Sequence, residues 1–284
     1  MQLSQWVRGR RFGGLALLAC ALACAATAGA GADDDREWRG DWNAVFTLTN
    51  DPDGNELAVF RLDAKGLMSK PVFVHTCGDG TGGGLGNQGA LALSPDGDFL
   101  YAVNPGSNSI SVFRLTRNGP QVIQVIDSGG KRPISLAVRS NLLYVLNAGG
   151  SAGDADSVAG FEVRRNGRLR PLAGSQKPLS AKDVGPAQIA FSPSGDALVV
   201  TEKTTDTLTA LALNRDGVPV DAAFAKSAGR TPFGFAFSRG GFLVVSEAFG
   251  GAANGSAVSS NAFDEDEGEF APITKSAPTT QTAA

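Results

Sequence analysis

Histidine is almost missing from this chain, which has one copy, His75, alongside two methionines, two tyrosines and three cysteines. A Ser-His-Asp triad or a multi-histidine metal site would therefore have to use His75 or fail. Two of the cysteines, Cys20 and Cys24, fall in the leader described next, so Cys77 is the one thiol expected in the exported chain. That leaves no intrachain disulfide there and excludes cysteine-rich metal sites. No histidine other than His75 stands near Cys77 to activate it, so a nucleophilic role is not expected. Basic character is lacking as well. The formal charge is −3, and it becomes −6 when the leader takes three arginines and leaves 22 basic against 28 acidic residues. No basic patch with interleaved aromatics occurs, and nothing favours nucleic acid. Helical periodicity and a second apolar run of membrane length are both absent beyond the leader, so no span is expected in the mature chain.

What is present begins with that leader. Arg8, Arg10 and Arg11 precede small and apolar residues from 13 to 28, and Ala28-Gly29-Ala30 offers a cleavage site. This order predicts a secretory signal peptide over residues 1–30, followed by a linker over 31–43, with a periplasmic or secreted destination. Leu17-Leu18-Ala19-Cys20 is the alternative, a bacterial lipobox that would leave a lipid-anchored Cys20.

Four stretches then align, "GALALSPDGDFLYAVNPGSNSISVFRLTRNG" from Gly89 and its counterparts from Ile134, Ala187 and Phe233, at spacings of 45, 53 and 46 residues. Each holds three short apolar or alternating runs, split by a Pro-Asp-Gly-like turn and a polar loop, and a weaker fourth run follows an Asn-Gly or Asp-Gly. Period-2 alternation in "SISVFRL" and "TLTALAL" is strand-like, and the dipeptides between runs are hairpin chemistry. Four strands per unit of 40 to 50 residues predict an all-β fold, a β-propeller of four-stranded antiparallel blades.

The glycine-dense "CGDGTGGGLGNQG" from Cys77 to Gly89 fits G-x-G-x-x-G twice. A phosphate loop of that type opens a helix whose N-terminal amides hold the anion. Here a strand follows, and no Lys-Ser/Thr pair closes the motif, so a long flexible crossover is expected and no nucleotide cofactor.

"TNDPDGNELAVFRLD", "GGKRPISLAV", "YVLNAGG", "GPAQIAFSPSGDALVVTEK" and "TPFGFAFSRGGFLVVSEA" resemble the seven-bladed lactonase-type propellers, a group associated with 6-phosphogluconolactonase and carboxymuconate-cyclising enzymes. The resemblance covers residues 44–284. It implies a small-molecule lactone or carbohydrate as partner and hydrolysis as the reaction. In a blade the first strand leaves one mouth of the central channel and the second returns to it. The residues expected at that mouth are Asn87, Gln88, Arg132, Gln188 and Thr231 before first strands, and Asn50, Asn104, Asn147, Glu202 and Glu247 at the ends of second strands. Arg132 is the candidate to hold a substrate carboxylate or phosphate, and Glu202 or Glu247 to activate water. Gln88, Asn104, Asn147, Gln188 and His75 are candidate substrate contacts. No metal is expected: Asp51-x-Asp53-x-Asn55 and the acidic run 264–269 both fall on strand-to-strand turns. The competing expectation is a non-catalytic propeller that presents a polar mouth to a protein or glycan, or an inactive gene fragment.

The resemblance implies two more blades and a closing strand than the sequence supplies, so about five of seven blades are expected. A truncated reading frame or gene fragment is the expected cause, with an open five-unit fold or closure by a second chain as the alternatives. Two exposed sheet faces of roughly 400 Å² in all would forgo about 10 kcal/mol of burial at about 25 cal/mol per Å², and open strand edges add a pairing hazard. Residues 33–284 expressed alone are therefore expected to self-associate, seen as oligomers or aggregates in light scattering. A soluble monomer with one sharp, cooperative melt would overturn this.

Overall fold

The computed structural model describes residues 43–150 and 154–280. The chain divides into a unit over residues 1–35, outside the described range together with the signal peptide and the Cys20 lipobox, and a second unit, Arg36–Ala284. The second unit is five antiparallel sheets. The first has three strands, β1 (Ala44–Leu48), β2 (Glu56–Arg61) and β3 (Val72–His75). The second is β4 (Leu91–Leu93), β5 (Phe99–Asn104), β6 (Ser109–Thr116) and β7 (Gly119–Asp127). The third holds β8 (Pro133–Arg139), β9 (Leu142–Ala148), β10 (Asp156–Val163), and a divided outer edge, β11 (Leu169–Pro171) and β12 (Lys177–Pro178). The fourth is β13 (Pro186–Phe191), β14 (Ala197–Glu202), β15 (Thr207–Leu213) and β16 (Pro219–Lys226). The fifth is β17 (Pro232–Phe237), β18 (Leu243–Glu247), β19 (Ala257–Asp264) and β20 (Glu269–Pro278). These are the blades that the repeat predicts.

Alternation explains why middle strands are buried on both sides. In β5, Phe99, Tyr101 and Val103 pack toward β8, β9 and β10, while Leu100 and Ala102 pack toward β2. All six residues of β5 and of β14 are buried in consequence. A core cluster lies between each successive pair of sheets, and outer strands such as β3 and β20 stay largely exposed. The outer edge of the third sheet divides because Ser175 turns inward there, its hydroxyl accepting from Gly160 N at 2.9 Å and donating to Leu172 O at 2.6 Å.

The only two tyrosines do the same work in adjacent sheets. Tyr101 on β5 donates to the carbonyl of Gly167, in the third sheet's outer hairpin, at 3.1 Å, and Tyr144 on β9 donates to Gly217, in the fourth's, at 2.5 Å. Burial pushes both phenols well above their ordinary range, Tyr101 with help from Asp96.

The glycine-dense crossover is followed by strand β4, as expected, but it is tied down along its length. Asn50 Nδ2 holds Thr81 Oγ1 at 3.0 Å and Gly83 O at 2.7 Å, and Gly80 N donates to Asp51 O at 2.7 Å. The segment is rich in glycine partly because side chains would not fit. A Cβ on Gly78 would lie 2.5 Å from the Asn104 side chain, whereas one on Gly83 would meet nothing within 4 Å. Gly78→Ala is therefore expected to cost about 1–3 kcal/mol and Gly83→Ala to stay within about 0.5 kcal/mol of the parent, measured as urea unfolding midpoints. Equal midpoints would show that the crossover packs differently.

Candidate functional site

Four of the residues expected at the channel mouth, Asn104, Asn147, Glu202 and Glu247, lie at the end of the second strands of their sheets, Asn147 one residue before it, and are fully buried. Their register explains this. Each lies opposite a residue that opens the third strand, Ser109, Thr207 and Ala257 in first position and Ser157, facing Asn147, in second. The side chain two residues further along that strand shares its face. In the second sheet this is Ser111, which accepts from Asn104 Nδ2 at 2.7 Å. In the fourth it is Thr209, which donates to Glu202 Oε1 at 2.6 Å. In the third it is Ala159, which offers no hydroxyl; Asn147 Nδ2 donates to Ser128 O at 3.3 Å and Oδ1 has no partner. In the fifth it is Ser259, whose hydroxyl and Glu247 Oε1 both lack partners.

Each position also packs on the link from the preceding sheet. Gly78 and Gly130 lie against the Asn104 and Asn147 side chains, and Gly229 against Glu247. In the fourth sheet Ser180 takes this place, donating to Glu202 Oε2, which also accepts from Thr205 at 2.9 Å. Glu247 Oε2 accepts from Ser276 at 2.5 Å. These side chains stitch sheet to sheet.

The first strands are joined to one another around the centre. Asn87 Nδ2 donates to Ile134 O, and Gln88 N to Ala187 O at 3.0 Å. Gln188 exchanges two bonds of 2.9 Å with Phe235, and Ser135 Oγ accepts from Ile189 N at 3.2 Å. Thr231 N donates to Asp206 at 2.6 Å, as Arg132 N does to Asn108 at 2.8 Å. Both residues have left-handed φ, 57° and 53°, so this strain belongs to a repeated joint between sheets. Beside this centre Asn50, Asn87, Leu85, Pro105 and neighbours line an open cleft of about 260 Å³.

Charge gathers where the third and fourth sheets meet the crossover. Lys203, which follows Glu202, donates to Pro186 O at 3.0 Å and to Gly86 O, and its ammonium lies 5.4 Å from the Phe233 ring centre. Burial and then the charge of Arg132 push Lys203 down to about 8, with Asp156 opposing. Burial raises the Asp156 carboxyl; the Val184 amide (2.7 Å) and Arg132 oppose this, and Asp183 and Glu202 add to it. Arg132 and Glu202, expected together at the mouth, thus act on one carboxylate. Arg132 Nε is buried with no hydrogen-bond partner. Lys203 is the residue that the sequence reading passed over. Its signal was present in the Glu-Lys pair at a strand end, but nothing local shows that a glycine carbonyl 117 positions away would meet it.

Two other candidates lie elsewhere. His75 ends β3 with an 80% exposed side chain, 3.2 Å from Glu56. Cys77 is disulfide-bonded, which corrects the expectation of a lone thiol. Among the described residues no three acidic, histidine or cysteine side chains could hold a metal ion, and no helix is long and apolar enough to cross a membrane.

The five stacked sheets can now be set beside known proteins. The family described as "Lactonase, 7-bladed beta-propeller" matches residues 53–182 and 155–283. The chain belongs to that family. Among solved structures, the periplasmic gluconolactonase of Pseudomonas aeruginosa superposes with a TM-score of 0.61 at 19% identity, over 84% of this chain and 68% of its own. A 6-phosphogluconolactonase candidate from Bacteroides uniformis gives 0.62 at 16%, over 84% and 69%. A Lactobacillus plantarum protein gives 0.60 at 17%, again over 84% and 69%. At these identities the likeness is one of fold. A comparison with curated proteins returned no match.

Within this lactonase-family chain the buried stitch makes two equivalent hydroxyls unequal. Thr209→Val removes a hydrogen bond to a buried carboxylate and is expected to cost about 1.5–3 kcal/mol. Ser259→Ala removes a hydroxyl with no partner and is expected to change stability by less than about 0.5 kcal/mol. Denaturant unfolding of both variants checks this; equal losses would contradict the pairing described for Glu202.

Proposed function

We propose that this chain is an exported propeller that opens a sugar- or muconate-type lactone carrying an anionic group. The observation that carries the reading is Arg132, whose Nε is buried without a partner at the junction of the third and fourth sheets. A guanidinium in that state favours a carboxylate or phosphate on the ligand, held by two parallel hydrogen bonds. Family membership supports the lactone, and the leader over residues 1–30 supports a periplasmic or secreted location. Export in turn favours a carboxylated sugar or muconate over a phosphorylated one.

In the reaction, water adds to the ring carbonyl, the tetrahedral intermediate collapses, and the ring oxygen leaves as a hydroxyl after taking a proton. Glu202 is the candidate base beside Arg132. Its carboxylate is fully buried, and the half-buried hydroxyls of Ser180 and Thr205 stand on Oε2. A proton lost by the attacking water therefore reaches Glu202 only through one of these hydroxyls, which hands its own proton on as it accepts the new one.

One observation favours a second reading, a non-catalytic propeller that binds a protein or glycan. Glu202 and Glu247 are both buried, Glu202 bonded to Ser180 on the link from the third sheet and Glu247 packed on Gly229 of the link from the fourth. A panel of neutral and anionic lactones followed by pH-stat separates the two readings. The enzyme reading expects ring opening above the uncatalysed rate, and Arg132→Ala is expected to weaken binding of anionic lactones about tenfold more than neutral ones. Equal hydrolysis with and without protein across the panel favours the binding reading.

A further inference from the structure

Arg132 and Lys203 come from different sheets and lie half-buried on either side of Asp156. Ala148, which pairs with Asp156, donates to Arg132 O at 3.0 Å. Val184, whose amide holds the Asp156 carboxylate at 2.7 Å, precedes Gly185, which accepts from Lys203 N at 3.1 Å. Two like charges held together out of bulk water are costly unless something neutralises them. Nothing among the described residues does so at contact range. Neither has a carboxylate within ion-pair distance, and Arg132 Nε has no partner at all. Asp156 is near enough to be felt by both, but one of its oxygens is committed to the Val184 amide. Glu202 has its oxygens on Ser180, Thr205 and Thr209. The two carbonyls on the Lys203 ammonium, Gly86 and Pro186, leave it one of its three protons to donate.

We propose that Arg132 and Lys203 together bind one oxyanion, a carboxylate or phosphate, between the third and fourth sheets, with Lys203 deciding the affinity. This rests on the lactone reading and adds a residue and a ligand class to it. Guanidinium groups do not titrate in the accessible range, so pH sensitivity comes from the lysine. The charged groups that act on it are Arg132 ahead of β8 and Asp156 at the start of β10, and Asp156 is in turn raised by Asp183 ahead of β13 and Glu202 at the end of β14. Lys203 carries its charge below about 8 and loses it above. An anion on the pair therefore binds tightly on the acid side of that value and weakens on the alkaline side.

Sulfate is a suitable probe, since its own charge does not change over this range. Calorimetric titration of the full chain at constant ionic strength is expected to show affinity falling about tenfold or more between about pH 7 and pH 9.5. Lys203→Gln should weaken binding about tenfold at the lower pH and abolish the pH dependence. Lys203→Arg should retain the affinity and give a flat profile, which a role confined to holding Gly86 would not produce. Absence of sulfate binding by the parent at millimolar concentration, a flat parental profile, or unchanged binding by Lys203→Gln would each overturn the proposal. Displacement of sulfate by a carboxylated lactone and not by its neutral analogue supports a substrate-borne anion. Sulfate binding that neither lactone displaces overturns that assignment. Neither result depends on turnover, so failure of the hydrolysis assay and failure of this site are separate outcomes.

Discussion

Apolar contact between successive sheets is what the rest of this molecule depends on. There is no helix longer than a three-residue turn among the described residues to cover a sheet face, so each sheet must use its neighbours. The middle strands meet this by being buried on both faces, as β5 and β14 are throughout. Polar groups at the strand ends are then trapped wherever two sheets close on each other. The buried Asn and Glu side chains, the glycines set against them and the serines and threonines that bond to them follow from that trapping.

This changes how a polar ring at a propeller mouth should be read. Asn104, Asn147, Glu202 and Glu247 look like a catalytic set when counted by topology alone. Their register turns each one into the neighbouring link, where three of the four sites supply a glycine and the fourth supplies Ser180. The hydrogen bonds are unequal for a simple reason. The companion position holds Ser111, Ala159, Thr209 or Ser259, and a partner exists only where the hydroxyl is present and reaches. Arg132 differs from this set because it is a cation, while its buried Nε shares the lack of a hydrogen-bond partner with Asn147 Oδ1 and Glu247 Oε1.

Much of the architecture was legible beforehand. Period-2 runs split by Pro-Asp-Gly-like and Asn-Gly turns are local signals, and they fixed sheet number and strand order. The equivalence of Asn104 with Glu202 was legible too, as a repeat position. Which way those side chains face was not, since facing depends on cross-strand register and on the link from the preceding sheet. Lys203 and the crossover escaped for a related reason. Glycine advertises only that a side chain is missing, so the meeting of Gly86 with an ammonium from another sheet leaves no trace in either local stretch. The divided edge of the third sheet was hidden in the same way, because it depends on Ser175 facing Gly160.

The paired tyrosines have a spectroscopic consequence. Tyr101 and Tyr144 are the only phenols in the chain, and each is locked against the outer hairpin of the following sheet. Ionising either one means first exposing it to water, and that requires adjacent sheets to part. Phenolate absorbance in alkali therefore reports, with no background from surface tyrosines, the opening of the two seams that join the second, third and fourth sheets.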